Sequence, residues 1–160
     1  MLEEQSFQVK LHDRAGFCCG VPAIDDYLRR FAAQQSAKGM ASVYVLVDDL
    51  DPSRILGFYT LSAAQVDARH LIETDRKRLP RYPIPCFRMD RLACRSDHQG
   101  RGLGQLQMGC AVERCLKSRS LVGAYALLVD AKDENAKAFY RHYGLTVCVD
   151  SPMTLYLPLG

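Results

Sequence analysis

Three glycines set between an apolar strand and an amphipathic run constrain this chain more than any other feature. Arg91-Leu-Ala-Cys-Arg-Ser-Asp-His-Gln-Gly-Arg-Gly-Leu-Gly104 reads as a strand ending at Cys94, a turn with glycines at 100, 102 and 104, and a helix. The apolar positions predicted for that helix are Leu103, Leu106, Met108 and Cys110. A helix that opens out of such a turn leaves several backbone N–H groups without intrahelical partners, and a terminus of this kind binds phosphate oxygens. A dinucleotide fold requires G-x-G-x-x-G, and an NTPase phosphate loop requires a Lys-Ser/Thr pair after its last glycine. Gly100-Arg-Gly-Leu-Gly-Gln-Leu106 supplies neither, which leaves the spacing Gln99-x-x-Gly102-x-Gly104.

Downstream, Ala126-Leu-Leu-Val-Asp-Ala131 reads as a buried strand, and Glu134-Asn-Ala-Lys-Ala-Phe-Tyr-Arg-His-Tyr-Gly-Leu145 as a short helix with a glycine stop. The first spacing resembles the acetyl-CoA motif of the GNAT N-acetyltransferases, Gln/Arg-x-x-Gly-x-Gly/Ala. The second segment is similar to the stretch of the same superfamily that carries an asparagine, an alanine, a Phe-Tyr pair and a terminal glycine. The two occur in the superfamily's order, about thirty residues apart.

Composition bounds the reading. At 160 residues and 48% hydrophobic content, one domain covering 1–160 is expected. No apolar run approaches the roughly 18 residues of a membrane span, and Met1-Leu-Glu-Glu-Gln5 has neither a basic flank nor an apolar signal core, so a cytoplasmic protein without membrane contact is expected. Seven cysteines at 18, 19, 86, 94, 110, 115 and 148 form no C-x-x-C pair and read as buried thiols; no metal site is expected. The net charge of +3 is unevenly spread: nine basic residues against four acidic ones lie between Arg69 and Arg101. That surplus is either a solvated surface or a footprint for a polyanion, the phosphates of CoA or a nucleic-acid backbone. With only Tyr82 and Phe87 nearby, stacking on single-stranded bases is not indicated.

Along the chain, Phe7, Val9 and Leu11 predict a first strand, and Pro22 opens a helix with an apolar face at Ile24, Tyr27, Leu28 and Phe31 that stops at Gly39. Val43–Val47 and Ile55–Ala64 predict a strand pair around the Asp48–Ser53 turn. Asp67–Leu79 is ambiguous, and Pro80, Pro83 and Pro85 force an extended approach to the strand at Cys86–Cys94. Final strands fall near Val147 and Leu155. This order is an α+β architecture with a mixed central sheet and flanking helices. The resemblance adds the GNAT fold, in which the strand before the glycine turn splays from the next and the pantetheine lies between that pair.

The flanks narrow the resemblance to the aminoacyl-tRNA-acetylating toxins of bacterial toxin–antitoxin pairs. Phe17-Cys-Cys-Gly-Val-Pro-Ala-Ile-Asp-Asp-Tyr-Leu28, Leu79-Pro-Arg-Tyr-Pro-Ile-Pro-Cys-Phe-Arg-Met-Asp-Arg-Leu-Ala93 and Pro152-Met-Thr-Leu-Tyr-Leu-Pro158 are similar to that family's entry segment, its run into the glycine turn and its last strand. Departures are small: an extra thiol at Cys18, Cys94 where valine is usual, and Leu145 for phenylalanine. The resemblance implies an acetyltransferase using acetyl-CoA without metal. It also implies an aminoacyl-tRNA substrate and a neutralising ribbon-helix-helix antitoxin, with operator DNA reached only through that antitoxin. A homodimer suits a tRNA-sized ligand.

Acyl transfer to an amine needs a polarised carbonyl and a proton for the departing thiolate. The resemblance implies Tyr140 as that acid, and a phenol's ordinary pKa of about 10 lies above a thiol's of about 8.5; Tyr143 is its neighbour on the helix, and core packing is the structural alternative. A backbone N–H from the strand at Leu92, Ala93 and Cys94 is expected at the acetyl oxygen. Gln99, Gly100, Arg101, Gly102, Leu103 and Gly104 are expected at the pyrophosphate, with Arg101 or Arg95 adding charge. The resemblance places Asn135 at the pantetheine; a helix cap is its structural alternative, and the two roles are compatible. Arg76, Lys77, Arg78, Arg88 and Arg91 are the substrate-side candidates. No motif selects a general base among Glu73, Asp75, Asp90, His98 and His142, which favours an α-amine acceptor, since its pKa of about 7.7–8.0 leaves it partly unprotonated at neutral pH. Two alternatives stay open: an acetyltransferase of the same fold acting on a protein or small-molecule amine, and an antitoxin-bound co-repressor module.

Overall fold

The computed structural model describes residues 1–81 and 83–160; Tyr82 lies outside the described residues. Seven strands, β1 (Leu2–Ser6), β2 (Ser42–Asp48), β3 (Gly57–Val66), β4 (Ile84–Cys94), β5 (Ala126–Asp130), β6 (Thr146–Cys148) and β7 (Ser151–Pro158), are ordered β1-β2-β3-β4-β5-β7-β6. The helices are α1 (Pro22–Arg30), α2 (Ala32–Ala37), α3 (Glu73–Arg76), α4 (Leu103–Ser118) and α5 (Glu134–His142). The sheet is mixed: β4 and β5 run parallel, while β1–β2, β2–β3, β5–β7 and β6–β7 are antiparallel. The parallel register runs from Cys86↔Ala126 to Met89↔Val129, so the last five residues of β4, Asp90–Cys94, lie beyond it. The chain divides into two compact units, Met1–Ser62 with Asp90–Ala111, and Ala63–Met89 with Val112–Gly160.

In the first unit the core gathers Phe17, Tyr27, Leu28, Val43, Val45, Val47 and Phe58. Phe17 meets Phe58 edge-on at 5.5 Å, a geometry that aligns ring edge with ring face. Three details differ from the sequence expectation. The first strand is Leu2–Ser6, not the Phe7–Leu11 stretch. Phe7 N–H donates to the Val43 carbonyl, the Gln8 carbonyl then accepts from both Leu11 and His12, and that turn leaves Val9 and Leu11 exposed. The helix opened by Pro22 is broken at Phe31, whose φ of −119° leaves the helical range. Ala32, fully enclosed, takes the core position beyond the break while Phe31 is exposed beneath Arg30. In α4 the buried stripe is Leu103, Gln107, Met108, Ala111 and Cys115, and Leu106 is exposed. Gln107 thus takes the core position that the apolar pattern assigns to its neighbour.

In the second unit β5 is buried from Ala126 to Val129, as a central strand flanked on both edges must be. Val66, Leu71, Ile84, Cys86, Leu128, Cys148 and Tyr156 form its core. The ambiguous stretch resolves into a 3-10 turn at Ala68–His70 and the single-turn helix α3. No helix among the described residues is long and apolar enough to cross a membrane.

Candidate active site

In the first unit, β4 delivers the chain into the glycine turn. Gly100 and Gly102 have φ of +80° and +78°, a region that a Cβ disfavours. Nothing lies within 4 Å of a Cβ built at either. Two left-handed residues within three turn the chain sharply enough for α4 to begin at Leu103, and the helical ladder starts with Leu106 N–H donating to the Gly102 carbonyl. The N–H groups of Leu103 and Gly104 precede that ladder, beside the open space at the glycines. A terminus of this form fits a pyrophosphate. Gly100, Arg101, Gly102, Leu103 and Gly104 all lie in it, with Arg101 exposed.

The Gln99 side chain is a brace. Its amide nitrogen donates to the Cys19 carbonyl at 2.9 Å and to the Cys94 carbonyl at 3.2 Å, so it supports the turn from behind rather than reaching into it. Ser96 adds a backbone bond and a hydroxyl bond to the Cys18 carbonyl, at 2.8 and 3.1 Å. The Cys18-Cys19 backbone is thus the buttress of the turn. Cys19 is itself fixed because its N–H donates to the enclosed Asp25 carboxylate at 2.9 Å. Arg95 is likewise a strut. Its guanidinium donates to the Ile55 and Gly16 carbonyls, both at 2.8 Å, and burial holds its pKa below the usual arginine value. His98 is less solvated than its place in a turn suggests, at 22% exposure, and pairs with Asp97 at 2.8 Å. That contact, with Arg54 at 2.9 Å on the same carboxylate, holds Asp97 below the ordinary carboxylate pKa.

On β4, the Ala93 carbonyl accepts from Gln107 Nε2 at 3.1 Å and points toward Gly57, where a Cβ would lie 2.8 Å from its oxygen. Just beyond the strand, Arg95 N–H donates to the Leu56 carbonyl. Ala93 and Arg95 therefore both turn their backbone groups toward the start of β3. Because those groups alternate between the two edges of a strand, the N–H groups of Leu92 and Cys94 are turned to the opposite edge. Gln107 carried no signal in the sequence, since an enclosed glutamine in an apolar stripe looks like a surface residue out of register.

In the second unit, α5 is capped by Asp133, whose carboxylate accepts from Ala136 N–H at 2.8 Å. This corrects the capping alternative for Asn135, which is the second residue of the helix and exposed. Tyr140 is the buried residue of α5, at 6% exposure, with its ring edge-on to Phe139 at 5.4 Å. Tyr143 is half-buried at the helix end, 6.5 Å from Phe139. His142 is exposed.

The basic candidates separate. Arg91 stacks on the Tyr27 ring at 3.5 Å and Arg88 pairs with Asp130 at 3.1 Å, so each has an intramolecular partner. Arg76, Lys77 and Arg78 are not enclosed; Lys77 and Arg78 stand in solvent and Arg76 at the end of α3. Of the acidic candidates, Asp75 accepts the Tyr156 hydroxyl at 2.6 Å and Glu73 pairs with Lys77 at 3.4 Å. Burial and the Asp75 contact raise the Tyr156 pKa far above an ordinary phenol's. All seven cysteines are free thiols, and among the described residues no group of His, Cys, Asp and Glu side chains has a metal-binding arrangement.

A strand that runs through a left-handed glycine turn into an open helix N-terminus is the phosphate cradle of a CoA-dependent acyltransferase. The sequence profile of the acetyltransferase (GNAT) family matches residues 9–145, and the chain belongs to that family. A tRNA-acetylating toxin of Mycobacterium tuberculosis is 33% identical over 91% of this chain and 85% of its own. Among solved structures, a tyrosine-to-phenylalanine variant of KacT superposes with a TM-score of 0.93 at 28% identity, covering 99% of this chain and 95% of that one. AtaT complexed with acetyl-methionyl-tRNA superposes with a TM-score of 0.92 at 25% identity, with the same coverage. A KacTA–DNA complex gives 0.83 at 27% identity, covering 99% and 94%. The protein is an acetyl-CoA-dependent N-acetyltransferase.

Proposed function

We propose that this enzyme is a toxin that moves the acetyl group of acetyl-CoA to the α-amine of an aminoacyl-tRNA and so blocks translation. The observation that carries the donor half is the turn at Gly100 and Gly102, whose left-handed backbone leaves open space at the start of α4. Acetyl-CoA, when bound, supplies the thioester. The N–H groups of Leu92 and Cys94 face its acyl end and polarise the carbonyl, while Ala93 between them is turned to β3 and does not. Gln99, Gly100, Arg101, Gly102, Leu103 and Gly104 form the pyrophosphate loop, Gln99 from behind. Asn135, relieved of capping by Asp133, is left to hydrogen-bond the pantetheine.

The amine nitrogen forms a bond to the acyl carbon, the carbon–sulfur bond breaks, and the thiolate takes the phenolic proton of Tyr140; the proton shed by the amine goes to water. Tyr140 regains its proton from solvent once product leaves. Arg76, Lys77 and Arg78 serve the RNA, with Arg88 and Arg91 beside them on the chain and already engaged internally. The acceptor half rests on the likeness, over 91% of the chain, to a protein named for acetylating tRNA. A ribbon-helix-helix antitoxin neutralises the enzyme and carries it to operator DNA, and a homodimer is the working form in the cytoplasm.

The test is transfer of labelled acetyl from acetyl-CoA to charged and to deacylated tRNA, with wild type and Tyr140→Phe in parallel. Label on charged tRNA alone, reduced about 10²–10⁴-fold in the variant, is expected. Label on neither, with acetyl-CoA still consumed in the presence of protein or small amines, would replace the tRNA acceptor with one of those.

A further inference from the structure

A cavity of about 680 Å³ in the second unit is lined by Asp67, Ala68, Arg69, Arg76, Lys77, Leu79, Pro80 and Arg81. Of these described lining residues four are cationic and one is anionic. Two of the cations are already matched: Arg69 holds Asp67 at 2.8 Å, and Lys77 meets Glu73 at 3.4 Å. Arg76 and Arg81 meet no carboxylate within ion-pair distance among the described residues, and both line the cavity. Arg78 follows on the same segment. A concave surface with two uncommitted guanidinium groups is matched by phosphate oxygens, which the planar donor fork of arginine engages in pairs. Among the described residues the lining has no aromatic ring on which a base could stack.

One wall of this cavity is held from inside. The helix α3, which contributes Arg76, has four residues, too few to be stable alone. Tyr156, fully enclosed on β7, fixes it by two bonds: its hydroxyl donates to Asp75 at 2.6 Å and accepts from Ile72 N–H at 3.1 Å. Both ends of the helical turn are therefore tied to a strand of the core.

We propose that this cavity binds the phosphodiester backbone of the RNA substrate through Arg76 and Arg81, and that Tyr156 is the positioning residue that holds its α3 wall. The inference rests on the tRNA reading above and deepens it, assigning the contact to backbone rather than bases. Contacts of this kind position a nucleic acid without reading its sequence.

The experiment measures binding of deacylated tRNA across a salt series, and KM for charged tRNA and for acetyl-CoA, in wild type, Arg76→Gln/Arg81→Gln and Tyr156→Phe. In the double variant the slope of log K against log salt should fall by about two, with acetyl-CoA KM unchanged. Tyr156→Phe should raise KM for charged tRNA at unchanged kcat, and its effect should be non-additive with that of Arg76→Gln/Arg81→Gln, because the hydroxyl acts through the same wall. An unchanged salt slope in the double variant overturns the proposal whether or not Tyr156→Phe folds. A rise in acetyl-CoA KM that vanishes with dephospho-CoA overturns it in favour of the cofactor's 3′-phosphate. Loss of the salt slope in an enzyme that never labels charged tRNA supports the phosphate site and overturns only the acceptor reading.

Discussion

Gln107 donates to the Ala93 carbonyl at 3.1 Å from a fully enclosed position, and Gly57 is the residue that makes room for it. A Cβ at position 57 would lie 2.6 Å from Gln107 Nε2 and 2.8 Å from the Ala93 carbonyl oxygen. The second contact is with backbone and cannot swing away. Gly57→Ala is therefore expected to destabilise the protein by about 1–3 kcal/mol, read as a lower denaturant midpoint. It should also raise KM for acetyl-CoA, because the strand it displaces carries Leu92 and Cys94. A midpoint equal to wild type would show that the strand accommodates the methyl group.

Arg91 and Arg76 make opposite predictions although both are arginines of the same basic stretch. The guanidinium of Arg91 lies 3.5 Å from the Tyr27 ring centre, a cation–π contact that contributes about 0.5–2 kcal/mol. Arg91→Ala should lower the thermal midpoint and leave the salt dependence of tRNA binding unchanged. Arg76→Ala, at the cavity wall, should do the reverse. A fall in the salt slope for Arg91→Ala would return that residue to the substrate side.

Much of this was legible in the chain because local rules agreed with the fold. The glycine turn, the buried β5 strand and the Gly144 stop of α5 were all read from residue type and spacing. What was not legible depended on partners distant in sequence. Gln99 looks like a ligand-facing residue until the Cys19 carbonyl, far back in the chain, is seen to accept its amide. Gln107 looks like a break in an apolar stripe until Gly57 leaves a space for it. Phe31 ends α1 because Ala32, the smaller neighbour, fills the core position, a choice made by packing that periodicity does not encode.

Acid should weaken the protein in a window set by His12. The ring is enclosed; its Nδ1 accepts from Gln8 N–H at 3.0 Å and its Nε2 meets Gln5 Oε1 at 2.9 Å. Burial lowers its pKa below the ordinary 6.5, so the unfolded chain takes up a proton first. Stability is then complete above about pH 6.5 and is lost as pH falls from there through the lower folded value. The carboxylates of Asp48, Asp67 and Asp97, all held below 3.8, act only at more acid pH. Urea midpoints measured from about pH 7.5 to about pH 5 should decline in wild type and stay level in His12→Gln. A level wild-type curve would mean that the ring protonates without loss of its contacts.

The thiols set the alkaline limit. Burial pushes Cys86, Cys115 and Cys148 up to about 11 from an ordinary 9.0, whereas Cys18 is exposed. A thiol whose folded pKa is raised stays protonated in the native state while the unfolded chain ionises. The stability that these protonated thiols hold is therefore complete below about pH 9 and is lost as pH rises from there toward about pH 11. The same burial governs reactivity, because the thiolate is the nucleophile. Iodoacetamide at about pH 8 should modify Cys18 first and the half-buried Cys94 and Cys110 more slowly. Cys19, Cys86, Cys115 and Cys148 should react only after denaturation, when mass spectrometry should count an adduct on every cysteine. Rapid labelling of Cys86 or Cys148 in the native protein would show that the core of the second unit opens on the timescale of alkylation.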